Sequence, residues 1–213
     1  MFVSYITGVP DAWVGDRHIL HYTSDDLWHW AYQGRAELPS DRVIDACVHP
    51  VEGGWRMWYK DEADESHTHY ADSPDLAHWT HRGRATEDQA QEGPNVFRLG
   101  GRGWLIADIW DGQAVYDSED MEHWRRRGAI MAGAGTRPED GNRAHHADVL
   151  PVDDEHAYLF YFVHPGQKQY EYDAGIGDYL KRRSSVQVAE LRVVDGMLTS
   201  VRDEPFEFDL PDM

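Results

Sequence analysis

Ser24-Asp25-Asp26-Leu27-Trp28-His29-Trp30 returns twice further along the chain, as Ser73-Pro74-Asp75-Leu76-Ala77-His78-Trp79 and as Ser118-Glu119-Asp120-Met121-Glu122-His123-Trp124. The shared pattern is Ser-x-Asp-Leu/Met-x-His-Trp, and a glycine stands four residues past each final tryptophan, at Gly34, Gly83 and Gly128. The serines are spaced by 49 residues (24 to 73) and by 45 (73 to 118). Self-similarity at a period of about 40 to 50 residues marks one supersecondary unit repeated along the chain. The segments between the motifs read as strands, so the fold class is all-β and the architecture a β-propeller with one motif per blade.

Within the motif, Ser or Asp can open a tight turn by bonding its own backbone, and the Leu and Trp that follow can pack between neighbouring sheets. His29, His78 and His123 occupy the same place in every blade. Blades radiate from a common axis, so these three side chains do not converge on one site and read as structural.

Working outward, Phe2 to Val9 and His18 to Tyr22 are strands of a first blade. Val43 to His49, Trp55 to Lys60 and Thr68 to Ala71 supply the next, with Gly53-Gly54 as a hairpin turn. The layout recurs over Asn95 to Leu99, Trp104 to Asp108 and Ala114 to Tyr116, and again over His146 to Val152, Ala157 to Val163 and Val186 to Val194. The chain thus reads as one propeller domain, 1–213, with four countable blades near 1–40, 41–88, 89–132 and 142–213. The last lacks the motif and carries an insertion, His164 to Ser184, of the kind that maps to one face of a repeat fold. The first blade begins directly at its second strand, so an inner strand is expected to be missing at the N-terminus. Closure by Phe206-Glu207-Phe208-Asp209-Leu210, closure by a partner or homo-oligomer through the open first blade, and an incomplete start are the three ways to cover that edge.

Composition narrows the function. Across 213 residues, 39 acidic against 20 basic side chains give a net charge of −19, which argues against nucleic acid and anionic membrane surfaces as partners. The single Cys47 excludes an internal disulfide and fits a reducing compartment. With no apolar run of membrane-spanning length and no signal peptide, the expected location is cytoplasmic. Nine Trp and eleven Tyr suit both stacked blades and an aromatic funnel for sugar rings. No G-x-S-x-G elbow, P-loop, dinucleotide fingerprint or C-x-x-C is present.

If scaffold positions repeat, chemistry belongs where equivalent positions differ. The starts of the inner strands, expected to face the funnel, read Val43-Ile44-Asp45-Ala46, Gln91-Glu92-Gly93-Pro94 and His145-His146-Ala147-Asp148. Successive blades thus present an Asp, a Glu and a His. Paired carboxylates across a cleft are what glycosidic bond cleavage requires: one protonates the leaving oxygen, another activates water, attacks, or tunes its neighbour. Taken singly, Asp45 is a turn cap and Glu92 a solvated loop residue; the common register favours function.

These residues carry a family resemblance. The chain resembles the five-bladed β-propeller glycoside hydrolases of family 43, and more loosely families 32, 62 and 117, through the Ser-x-Asp-Leu-x-His-Trp repeats and the Glu92-Gly93-Pro94 segment. The resemblance covers about residues 1 to 165. It implies Glu92 as general acid, Asp45 as the residue that tunes and positions it, and His146 as ligand of a central calcium or of a water in its place. The small-molecule substrate it implies is a carbohydrate. The family's general base lies on the inner strand of the first blade, the strand expected to be missing. Asp108, beside the potential sugar platform Trp110, is the first substitute, followed by Asp61 and Glu62. Lys60 and Arg182 are the remaining expected substrate-binding residues. Zinc at His145-His146 is disfavoured, because adjacent strand positions point to opposite faces.

Overall fold

The computed structural model describes residues 1–8, 13–166, 179 and 183–209. The described strands form four consecutive antiparallel meanders. The first joins β1 (Phe2–Ile6), β2 (Arg17–Thr23) and β3 (Ala31–Arg35); the second β4 (Val43–Val51), β5 (Gly54–Asp61), β6 (His67–Ser73) and β7 (Thr80–Arg84). The third comprises β8 (Glu92–Leu99), β9 (Arg102–Asp108), β10 (Gln113–Ser118) and β11 (Arg125–Ile130). The fourth comprises β12 (His145–Pro151), β13 (His156–Val163), β14 (Ser185–Val194) and β15 (Met197–Thr199). These sheets are the blades of a β-propeller, three-stranded in the first and four-stranded in the others. The chain divides into two compact units, Met1–Val96 and Phe97–Met213, with the boundary inside β8.

The repeated motif is the turn between the third and fourth strands of a sheet, or β2 and β3 in the first. Its chemistry is the same each time. Asp26 Oδ1 accepts the amides of Trp28 and His29 while Oδ2 lies 2.7 Å from His29 Nδ1. Asp75 and Asp120 hold their turns with the same atoms, down to the 2.7 Å carboxylate–imidazole pairs with His78 and His123. Each imidazole is thus engaged within its own turn. Leu27, Leu76 and Met121 have φ of 60°, 65° and 63°, a left-handed conformation that a β-branched side chain would resist. Gly34, Gly83 and Gly128 have φ of 132°, 125° and 125° and sit where the pairing of the outermost strand slips by one residue. The repeat therefore encodes a turn and a bulge together.

The expected packing of the motif side chains holds only in part. Met121 is 1% exposed, and Trp79 lies edge-on to Phe2 at 5.7 Å, against the core of Ile19, Val43, Met57, Tyr59 and Ala71. In the first sheet, Leu27 is 76% exposed and Trp30 39%. Trp79 packs on Phe2 of the sheet before its own. The second unit has its own core, in which Trp104, Ile106, Leu159, Tyr161 and Leu191 are buried.

The C-terminal segment forms no strand over residues 206–209. Instead, Phe206 and Phe208 pack against Tyr158, whose hydroxyl meets the Asp209 backbone at 2.9 Å. The fourth strand of the last sheet is the short β15, which sequence reading missed.

Candidate active site

Asp45 sits in a β-bulge. The pairing of β4 with β5 slips between Ile44 and Cys47, and Asp45 adopts φ 60°. A bulge re-aims a side chain at the end of a strand, and a short polar residue tolerates the left-handed backbone that this needs. The Asp45 amide donates to Ser4 Oγ at 2.9 Å, fixing the bulge to β1. Its carboxylate accepts the Gly93 amide at 3.1 Å, so Asp45 is bonded to the residue that follows Glu92. Gly93 itself has φ 54°. Deeper along the same pair of strands, Val96 N–H donates to Cys47 Sγ at 3.3 Å.

Glu92 opens β8. Lys60, at the end of β5, donates from Nζ to Glu92 Oε2 at 2.8 Å and lies 3.2 Å from Glu62 Oε1. Burial works against the Lys60 ammonium, but its bonds to Glu92 and then Glu62 prevail and raise its pKa. Lys60 is only 4% exposed. The Lys60 charge, expected to meet substrate, is engaged here by two carboxylates of the protein. Glu62 is bound further by Arg17 Nε at 2.6 Å and by the Trp13 indole N–H at 2.9 Å. Asp61 is buried, accepting from Ser40 Oγ at 2.8 Å and from the Ala63 amide at 2.9 Å. Neither Asp61 nor Glu62 faces water as a general base would.

In the second unit, Asp108 ends β9 and is fully buried. Its Oδ1 accepts the Trp110 amide at 2.7 Å; Oδ2 accepts the His146 amide at 3.0 Å and lies 3.2 Å from His145 Nδ1. The carboxylate that sequence reading offered as a substitute base is thus enclosed by these donors and shut off from solvent. It clips the start of β12 to the end of β9. Trp110 is half-buried with φ 61°, set by that same turn.

His146 lies at a second bulge, where β12 slips against β13 between His145 and Ala147. Strict alternation across the strand is broken there, and both imidazoles come near Phe162, at 5.5 and 5.8 Å between ring centres. Calcium takes six to eight oxygens, and His146 brings an imidazole nitrogen, so an ion held there would need oxygen ligands besides it. Arg182 lies outside the described residues, as does most of the 164–184 insertion. Its neighbour Arg183 pairs with Glu139.

Two features escaped sequence reading. Asp153 and His156 form a further Asp–His turn, at 2.8 Å, in the last sheet; the D-x-x-H spacing was visible but lies between β12 and β13 rather than at the motif's place. The Arg17–Glu62–Lys60–Glu92 chain joins residues distant in sequence, and no spacing rule announces it.

Neither a protein-family model nor a curated protein sequence matches this chain. Solved structures do resemble it in fold. An α-L-arabinofuranosidase from Lactobacillus brevis is 18% identical, over 92% of this chain and 68% of that one, with a TM-score of 0.58. A thermostable family-43 glycoside hydrolase is 16% identical over 92% and 73%, TM-score 0.54. The β-1,2-mannobiose phosphorylase of Listeria innocua is 11% identical over 91% and 55%, TM-score 0.62. At such identities the likeness establishes the fold, a β-propeller like that of family 43 glycoside hydrolases and of mannoside phosphorylases.

Proposed function

We propose that the protein cleaves a glycosidic bond in a small oligosaccharide or glycoside, with Glu92 as general acid and Asp45 as the residue that positions it. The observation that carries this reading is the bond from Gly93 N to the Asp45 carboxylate, 3.1 Å across the inner strands β4 and β8. It locks the segment bearing Glu92 to a second carboxylate, held by its bulge for that contact. Glu92 would protonate the departing oxygen as its bond to the sugar carbon breaks. Water would add its hydroxyl to that carbon and release its proton to solvent, from which Glu92 is reprotonated, and Asp45 would fix the direction from which the Glu92 proton arrives. Asp108 is assigned a positioning role at the start of β12, and no step is routed through calcium. The test is hydrolysis of a panel of para-nitrophenyl glycosides and oligosaccharides, α-L-arabinofuranosides and β-mannosides included, by the wild type and Glu92→Gln. Multiple turnover that the substitution abolishes supports the reading.

One observation favours a second reading, a propeller that binds carbohydrate without cleaving it. Each carboxylate considered as a substitute base, Asp61, Glu62 and Asp108, is engaged by protein donors. Calorimetry showing saccharide binding, with no product after prolonged incubation, would select this alternative.

A further inference from the structure

We infer that Lys60 is a positioning residue for Glu92, itself anchored by Arg17 through Glu62. The inference rests on the reading of Glu92 as the general acid. Four charged side chains of the first unit lie in line, and every link is short. Arg17 Nε is 2.6 Å from Glu62 Oε2, Glu62 Oε1 is 3.2 Å from Lys60 Nζ, and Lys60 Nζ is 2.8 Å from Glu92 Oε2. The charges alternate and balance. The two cations are the more enclosed members, with side-chain exposures of 0% for Arg17 and 5% for Lys60, against 10% for Glu62 and 20% for Glu92. Arg17, at one end, is the most enclosed member and Glu92, at the other, the most open, so the chain runs from a buried anchor to the more open carboxylate.

The anchor is fixed from several sides. Arg17 donates to the Gly15 carbonyl at 2.7 Å and its guanidinium lies over the Trp13 ring, 4.9 Å from its centre. The Trp13 indole N–H donates to both Glu62 oxygens, at 2.9 and 3.2 Å. Glu62 therefore has a fixed orientation, and Lys60 is drawn to it from the far side. A flexible lysine stem tied at one end to a fixed carboxylate loses its rotameric freedom, so the direction of the bond to Glu92 is set. One Glu92 oxygen, Oε2, is thereby held by the lysine. Because the ammonium is already shared between two carboxylates, its effect on a substrate passes through Glu92. A displacement of about 1 Å at a reacting group can cost on the order of 100-fold in rate.

The test is steady-state kinetics of Lys60→Met, Lys60→Arg and Glu62→Gln on the para-nitrophenyl glycoside turned over by the wild type, with the thermal midpoint of each variant recorded. Expected are a loss of about 100-fold in kcat for Lys60→Met with KM within threefold, partial recovery in Lys60→Arg, and a smaller loss of the same character in Glu62→Gln. A rise in KM with kcat unchanged would make Lys60 a substrate-binding residue and overturn the inference, and so would wild-type kinetics. Should Lys60→Met not fold, Glu62→Gln decides by the same split, since it keeps the lysine and removes only its anchor. Glu92→Gln run alongside separates the two levels: retained activity there, or a wild type inactive on every glycoside, refutes the acid assignment and this inference with it. Loss in Glu92→Gln with unaltered Lys60 variants refutes the inference alone.

Discussion

The Asp45 carboxylate and the Gly93 amide meet at 3.1 Å, joining the bulge of one inner strand to the first residues of the next. Asp45 can reach because its own φ is 60°. The bond ties Asp45 to the segment that carries Glu92, and Asp45→Asn is the sharpest probe of the positioning role proposed for it. Asn tolerates a left-handed backbone and keeps an oxygen acceptor, so the fold should survive. Loss of the negative charge should lower kcat/KM by about 100-fold. A calorimetric midpoint close to that of the wild type, with the kinetic loss in place, is the expected pair of results.

Asp108 should behave differently. Asp108→Ala leaves the buried amides of Trp110 and His146 without their acceptor, at a cost of about 1–3 kcal/mol for each group left unsatisfied. Denaturant unfolding should show a clear fall in stability. Asp108→Asn retains an acceptor and should lose less.

The repeat makes a paired prediction about packing. Trp79 lies edge-on to Phe2 and packs partly buried against the first core, while Trp30 at the same motif position is exposed. Trp79→Ala should cost about 1–3 kcal/mol and Trp30→Ala about 1 kcal/mol or less. Equal losses in urea melts would show that the two motifs are buried alike.

Stability should fall on mild acidification. His81 and His164 have pKa values held below the ordinary 6.5, by burial first and then by His69 and His145 respectively. His81 faces His69 at 3.1 Å, and His69 is held in turn by Asp64, itself bound by Arg84. A histidine whose folded pKa is depressed favours the neutral form. Its contribution is complete above the unfolded pKa near 6.5 and is lost as pH falls through the folded value. The thermal midpoint should therefore drop between pH 7 and pH 5, and His81→Gln should flatten that drop. A profile level across this range contradicts the assignment.

Much of this was legible in the residues. The three motifs announced the sheets and their period, because a turn with fixed hydrogen bonds needs the same Ser, Asp and Gly each time. The inner-strand positions of Asp45, Glu92 and His146 followed from register alone. What could not be read was local backbone: the bulges at Asp45 and His146 depend on slips in pairing that no single residue encodes. The burial of Asp108 was not legible either, because a strand-end Asp beside a Trp looks the same in sequence whether it faces water or caps the next strand. The pairing of Lys60 with Glu62 and Glu92 was not legible either, because Lys60 at the end of β5 and Glu92 at the start of β8 meet only in the folded chain.

The most direct measurement of the central claim is the leaving-group dependence of Glu92→Gln. Wild type and variant would be compared on a dinitrophenyl glycoside, which departs without a proton, and on an alkyl glycoside or oligosaccharide of the same sugar, which needs one. If Glu92 is the general acid, the variant loses on the order of 100- to 10,000-fold on the unactivated substrate and stays within about tenfold of wild type on the activated one. Equal losses on both substrates, or no loss on either, would contradict it.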